Sequence, residues 1–350
     1  MGGKVMEKIP VGILGATGTV GQKFVVLLTE HPMFRVVELV ASERSAGKTY
    51  REACAWKQAT PMPERIAELT VKALGDTLTG KILFSGLDSS VAGEAETRYA
   101  DGGHIVISNS SNHRMDADVP LTIPEINADH FELAKRQKRD GAILTNSNCS
   151  TMFLAMALGP LHREFGLEAA HVTTMQAISG AGYPGVPSID ILGNVVPYIA
   201  SEEEKLETEA AKILGKLTEA GIEPAGFAIS AQCNRVPVFD GHLETVSMKF
   251  SSRVTPDDVA RCLAEFRGMP QERKLPSAPE RPIVVTAEKD RPQPARDIMI
   301  ENGMATIVGR IRRCPVFDVK MVILGHNTIR GAAGAAVLNA EAYHALGYMP

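Results

Sequence analysis

Short apolar runs alternate with polar, glycine-containing turns over the first 145 residues. Val11 to Leu14, Phe34 to Ala41, Ile82 to Ser85 and Ile105 to Ser108 read as strands, and Ala142-Ile143-Leu144 as the end of another. Helical sequence, Gln22 to Leu28, follows the first run. Buried strands with helices between them predict a parallel, doubly wound sheet. From about residue 150 the pattern changes to longer helices mixed with alternating strands. Met152 to Leu161 predicts a buried helix, and His171 to Ile178 a strand. In Leu243 to Phe250 a period of two puts His242 and Glu244 on one face with Val246, Met248 and Phe250. Leu206, Ala210, Ile213 and Leu217 fall at i, i+4, i+7 and i+11, an amphipathic stripe that Glu203 extends by one turn. The proline-rich stretch Lys274 to Arg296 predicts a surface excursion. The small residues around Gly331 to Ala336 predict a helix packed closely on the first half.

Several of the turns carry chemistry. The first strand runs into Gly15-Ala16-Thr17-Gly18-Thr19-Val20-Gly21 and then a helix. Glycines at this spacing, after a strand and before a helix, suit a pyrophosphate held on helix N–H groups. Ser42 stands at the second strand's tip, where an acid would bind a ribose 2′-hydroxyl, and Arg44 and Ser45 follow it. An arginine with hydroxyls suits a 2′-phosphate, and Glu43 is expected to face solvent. The polar loop Asn109 to Arg114 follows another strand, where Arg114 is a candidate anion ligand.

Cys149, in Ser147-Asn148-Cys149-Ser150-Thr151, falls between a strand end and the buried helix. The unpaired N–H groups of a helix start lower a thiol's pKa and can hold an oxyanion. His242 enters its strand on the buried face, and Arg235 on the preceding loop is a fork for a carboxylate. Gln176 precedes the glycine turn Ser179 to Gly185 and is expected to point into a site. Glu203, in line with an apolar stripe, calls for a cationic partner.

The 350 residues suffice for two cores. The fold class expected is α/β: a Rossmann-type dinucleotide-binding domain (1–148 and 327–350) with an α+β catalytic and dimerisation domain (149–326). A net charge of -4 offers no basic field for nucleic acid or a membrane surface. No run is long enough to span a bilayer and the N-terminus lacks a signal-like apolar core, so a cytoplasmic location is expected. Five cysteines without a CxxC pair fit a reducing compartment, and nine histidines without ligand spacing predict no metal. The residues alone reach an NADP-linked oxidoreductase with a cysteine nucleophile.

The stretches GATGTVGQKF, ASERSAGK, SNHRM, SNCST, QAISGAGYPGVPS, EEEKLETEAAKIL, NRVPVFDGHLE and NTIRGAAGAA together resemble the aspartate-β-semialdehyde dehydrogenase family, its archaeal and fungal branch in particular. The resemblance implies NADPH-dependent reductive dephosphorylation of β-aspartyl phosphate through a cysteine thioester, in aspartate-family amino-acid synthesis. It implies Cys149 as nucleophile and His242 as acid/base, with Asn148 and Gln176 positioning the acyl group. Arg235 would bind the substrate carboxylate, Glu203 its amino group, and Arg114 and Lys205 phosphate. Gly15, Thr17, Gly18, Val20, Ser42, Arg44 and Ser45 would hold NADP, with Ser179, Gly180 and Asn327 near its nicotinamide end. Family members are homodimers or homotetramers. Malonyl-CoA reductase shares the framework and remains an alternative, as does a non-catalytic NADP-sensing protein.

Overall fold

The computed structural model describes residues 7–349. Six strands build the first sheet: β1 (Ile9–Leu14), β2 (Phe34–Ala41), β3 (Val71–Ala73), β4 (Ile82–Ser85), β5 (Ile105–Ser108) and β6 (Ala142–Thr145). Every pairing is parallel, and the order is β3-β2-β1-β4-β5-β6. β4, β5 and β6 are buried at every position. That is why they are continuous apolar runs without alternation. The strand order reverses between β1 and β4, and this opens a crevice at their carboxyl ends.

The second sheet is mixed, in the order β10-β7-β11-β14-β13-β12. Its strands are β7 (Leu167–Gln176), β10 (Ala228–Arg235), β11 (His242–Phe250), β12 (Ile283–Val285), β13 (Thr306–Arg313) and β14 (Val319–Gly325); β8 (Lys216–Thr218) and β9 (Gly221–Glu223) form a separate hairpin. One face packs on the cysteine helix, Cys149–Phe165, whose residues Ser150 to Leu161 are all buried. His242, Glu244, Val246, Met248 and Phe250 are buried, as the period of two predicts. A helix apolar all round needs cover on every side. Here it has β7, β11, β13 and β14 on one side and the helix Glu202–Ile213 on another. The C-terminal helix, Gly334–Ala345, joins the first domain's core with Ile13, Phe24 and Phe84. Just before it, Arg330 forks onto Glu125 at 2.8 and 2.9 Å, both side chains fully buried.

Two expectations need correction. The helix Glu202–Ile213 ends before Leu217, which lies in β8. Its buried residues include Glu202, Leu206, Glu209 and Ile213, so the stripe starts one turn earlier than the aliphatic residues alone indicate. Lys274 to Arg296 is not wholly a surface excursion. Within it β12 pairs in parallel with β13 at the sheet edge, and Ile283 is buried.

Candidate active site

A cleft of about 740 Å³ opens at the crevice between β1 and β4. Gly15, Thr17, Gly18 and Val20 line it, with Ser42 at the tip of β2 and Gly180 from the opposite domain. The helix Thr19–Leu28 starts at Gly18, which has no side chain to cap it, and its first turn carries no acid. Its N–H groups therefore face the cleft free for an anion. A Cβ at Gly21 would stand 2.2 Å from the Gly15 carbonyl oxygen, so only glycine lets the loop close on the helix. Uncapped donors, a tight glycine loop and no acid at the strand tip fit a dinucleotide pyrophosphate. Arg44 and Ser45 are not in the cleft wall. Residues 42–46 fold into a tight turn, with Ser45 N–H donating to Ser42 O at 2.8 Å, which buries Ser45 and leaves Arg44 exposed beside the rim.

Behind the cleft lies a smaller cavity of about 280 Å³. Its walls include Arg114, Asn148, Cys149, Gln176, Glu202, Arg235 and Asn327. Cys149 is half-buried and is the first residue of its helix, with Asn148 as N-cap. Asn148 Oδ1 accepts from the N–H groups of Ser150 and Thr151 at 3.0 and 3.2 Å. That cap occupies donors the sequence reading leaves for an oxyanion. Burial, and then the Glu202 carboxylate, push the thiol up to about 12, while Arg235 and Arg114 pull it down. The depression expected of a helix start is absent, because desolvation and a facing carboxylate outweigh it.

His242 is fully buried. Its Nδ1 accepts from the Ala177 N–H at 3.0 Å, so the neutral ring carries its proton on Nε2. Nε2 has no partner among the described residues. Burial, reinforced by Arg235, pushes this imidazole down to about 3. Gly180 closes over both groups: a Cβ there would meet Arg235 Nη1 at 2.8 Å and His242 Nε2 at 3.1 Å. Arg235 Nη1 donates to Ala177 O at 2.8 Å, and its guanidinium borders the cavity. Asn327 donates to Ser179 Oγ at 2.8 Å and accepts from Gly241 N–H at 2.9 Å. The C-terminal return thus braces both the glycine turn and the residue before His242.

The glutamate in the cavity is Glu202, not Glu203. Glu202 accepts from Asn148 Nδ2 at 2.9 Å, Gln176 Nε2 at 3.1 Å and Lys205 Nζ at 3.0 Å. Glu203 instead accepts from the Cys233 N–H of β10 at 3.0 Å and lines neither chamber. One helical residue turns a side chain by about 100°, so a one-residue shift exchanges the cavity for the sheet. Asn148 and Gln176 are in the cavity, but their amide N–H groups serve Glu202. Sequence reasoning missed a second carboxylate, Glu209. It accepts from Arg114 Nη1 at 2.9 Å and from the Asn148 N–H at 2.6 Å. Arg114 Nη2 donates to Asn109 O at 2.7 Å, and Nε has no partner among the described residues. Lys212 Nζ donates to the carbonyls of Arg114, Asp116 and Val119 and fixes that loop. The signal for both glutamates was their i, i+7 spacing in register with Leu206 and Ile213.

A thiol, two arginines and a paired carboxylate thus converge where a dinucleotide cleft meets a closed cavity. Known proteins are similar to it along nearly the whole chain. The family profile described as semialdehyde dehydrogenase, NAD binding domain, matches residues 10–134, and that described as semialdehyde dehydrogenase, dimerisation domain, matches 158–330. Aspartate-semialdehyde dehydrogenase of Schizosaccharomyces pombe is 49% identical over 344 residues, covering 95% of this chain and 96% of its own. That of Methanothermobacter thermautotrophicus is 47% identical over 341 residues, covering 95% and 98%. The crystal structure of the Candida albicans enzyme with NADP superposes with a TM-score of 0.90 at 42% identity, over 97% of this chain and 99% of that one. With the glycine loop, the cysteine turn and the carboxylate cavity all present, the chain belongs to the aspartate-semialdehyde dehydrogenase family.

Proposed function

We propose that the protein is an NADP-dependent, phosphorylating aspartate-semialdehyde dehydrogenase that serves aspartate-family amino-acid synthesis. The observation that carries this reading is the convergence of Cys149, Arg235, Glu202 and Arg114 on one cavity opening into the dinucleotide cleft. Arg235 holds the substrate α-carboxylate, and Glu202 takes its ammonium in exchange for part of the Lys205 and amide contacts. Arg114, through its free Nε, and Lys205 take the phosphate. Ser42 lines the ribose end, with Arg44 beside it for the 2′-phosphate.

In the reductive direction the Cys149 sulfur bonds to the acyl carbon of β-aspartyl phosphate, and the phosphate leaves carrying the thiol proton, giving a thioester. NADPH, when bound, supplies the hydride that reduces it. The thiohemiacetal oxyanion so formed would accept a hydrogen bond from the neutral His242 Nε2–H, which has no other partner among the described residues. Collapse of that oxyanion frees the aldehyde and a thiolate, which takes its proton from solvent while His242 keeps its own. A ring this far below its ordinary pKa stays neutral at rest and acts first as a donor, which narrows the expected acid/base role.

The outer face of the second sheet supports a homo-oligomer, dimer or tetramer. Leu243 pairs with Met175 there, both only half-buried, and Ile189, Leu192 and Tyr198 stand exposed on the segment that follows the glycine turn. The Vibrio cholerae structure complexed with ASA, at 25% identity and a TM-score of 0.78, supports the substrate reading. Steady-state reduction of NADP+ tests the proposal. It should require both aspartate semialdehyde and phosphate, with malonyl-CoA a far poorer substrate for NADPH oxidation. Efficient malonyl-CoA reduction without aspartate-semialdehyde turnover would instead favour the malonyl-CoA reductase alternative.

A further inference from the structure

Glu244 has no role in the chemistry above, yet it lies two residues from His242 on the same face of β11. It is fully buried, and neither carboxyl oxygen has a hydrogen-bond partner among the described residues. In register it faces Thr174 on β7 and Ile323 on β14. The cysteine helix packs on β11, and Ser150, the residue after Cys149, is also fully buried, with a hydroxyl that acts on the Glu244 carboxyl and has no hydrogen-bond partner among the described residues. From β10 the buried thiol of Cys233 is a further titratable group within its electrostatic reach. Among the described residues no cation acts on it: Arg235, also on β10, acts on Cys149 and His242, and Lys205, on the helix Glu202–Ile213, is engaged by Glu202.

A carboxylate in such a place would be a buried charge without a counter-ion, and such a group gives up its charge by keeping its proton. Burial indeed pushes this carboxyl well above the ordinary range. A neutral carboxylic acid is a donor as well as an acceptor, and the Ser150 hydroxyl is the polar group beside it. We propose that Glu244 is a positioning residue, a lasting neutral carboxylic acid that donates to Ser150 and pins the first turn of the cysteine helix to β11. The pin fixes the helix start that carries Cys149 and puts no negative charge beneath it. It rests on the reading of Cys149 as the nucleophile.

Three variants and two readouts independent of turnover test this. E244Q keeps the neutral donor, E244L fills the space without one, and S150A removes the acceptor. Infrared spectra of the wild-type protein at neutral pH should contain a protonated-carboxyl band that E244Q removes and S150A shifts. The pH profile of Cys149 alkylation, followed on its peptide by mass spectrometry, should be unchanged in E244Q. Turnover should survive in E244Q and fall about tenfold or more in kcat in E244L, with KM little altered. Three results would overturn the proposal: no acid band in wild type, an E244Q alkylation profile displaced down by about one unit or more, or an E244L enzyme equal to wild type. The spectral and alkylation results stand whichever acyl substrate is correct. Should E244Q not fold, the S150A band shift decides.

Discussion

Glu202 and Glu203 are chemically the same and adjacent, yet one meets the cavity and the other a strand backbone. If Glu202 holds the substrate ammonium, Glu202→Gln should raise KM for aspartate semialdehyde. Losing a charge-assisted contact costs about 1.5–3 kcal/mol, roughly a tenfold to hundredfold loss in kcat/KM. It should also lower the Cys149 thiol pKa, since Glu202 is one of the causes that raise it. Glu203→Gln should leave both quantities nearly unchanged. Steady-state kinetics with alkylation profiles of the two variants separate them, and a larger KM effect in Glu203→Gln would restore the reading from sequence. The sequence made it legible that a carboxylate lay on this turn. It did not show which of Glu202, Glu203 and Glu204 faced inward, because the phase was taken from aliphatic residues alone. Glu202 and Glu209 are buried by virtue of polar partners distant in sequence, and hydrophobicity does not register those. The thiol was misjudged for a related reason: Asn148 caps the helix that was expected to activate Cys149.

The helix Glu202–Ile213 acts as a brace between separate elements. Glu209 joins the Arg114 loop to the backbone of the Asn148–Cys149 turn, and Lys212 fastens the same loop through three carbonyls. Arg114 and Glu209 are both nearly fully buried. Removing one member of a buried ion pair strands the other and costs about 3–5 kcal/mol. Glu209→Gln should therefore lose stability on that scale in urea unfolding and raise KM for phosphate as Arg114 loses its anchor. Glu204→Gln, on the exposed face of the same helix, is the control. A Glu209→Gln protein as stable as the control would show that the brace has no energetic weight. Elements of this kind were only partly legible in sequence. The buried strands and the cysteine helix stood out because continuous apolar runs leave little choice. β12 was hidden by the prolines around it, since a short edge strand with a single buried isoleucine gives little pattern to read.

At the scale of the molecule, two sheets of different construction place one thiol at their junction. The parallel sheet supplies a cleft at its switch point, and the mixed sheet supplies Gln176, Arg235 and His242 from the ends of three strand segments. Chain order passes the cysteine helix from the first sheet to the second, and the C-terminal return closes back over the first. Arg114, Asn148 and Gly180 belong to the walls of both chambers, so Cys149 stands where the two meet. The covalent step on Cys149 can be isolated by withholding phosphate. Aspartate semialdehyde and NADP+ alone should give a burst of about one NADPH per protomer, as expected when an acyl-enzyme accumulates. An aspartyl adduct should then be found on the Cys149 peptide by mass spectrometry, and added phosphate should discharge it. A burst that persists in Cys149→Ala, or an adduct on any other residue, would contradict the account.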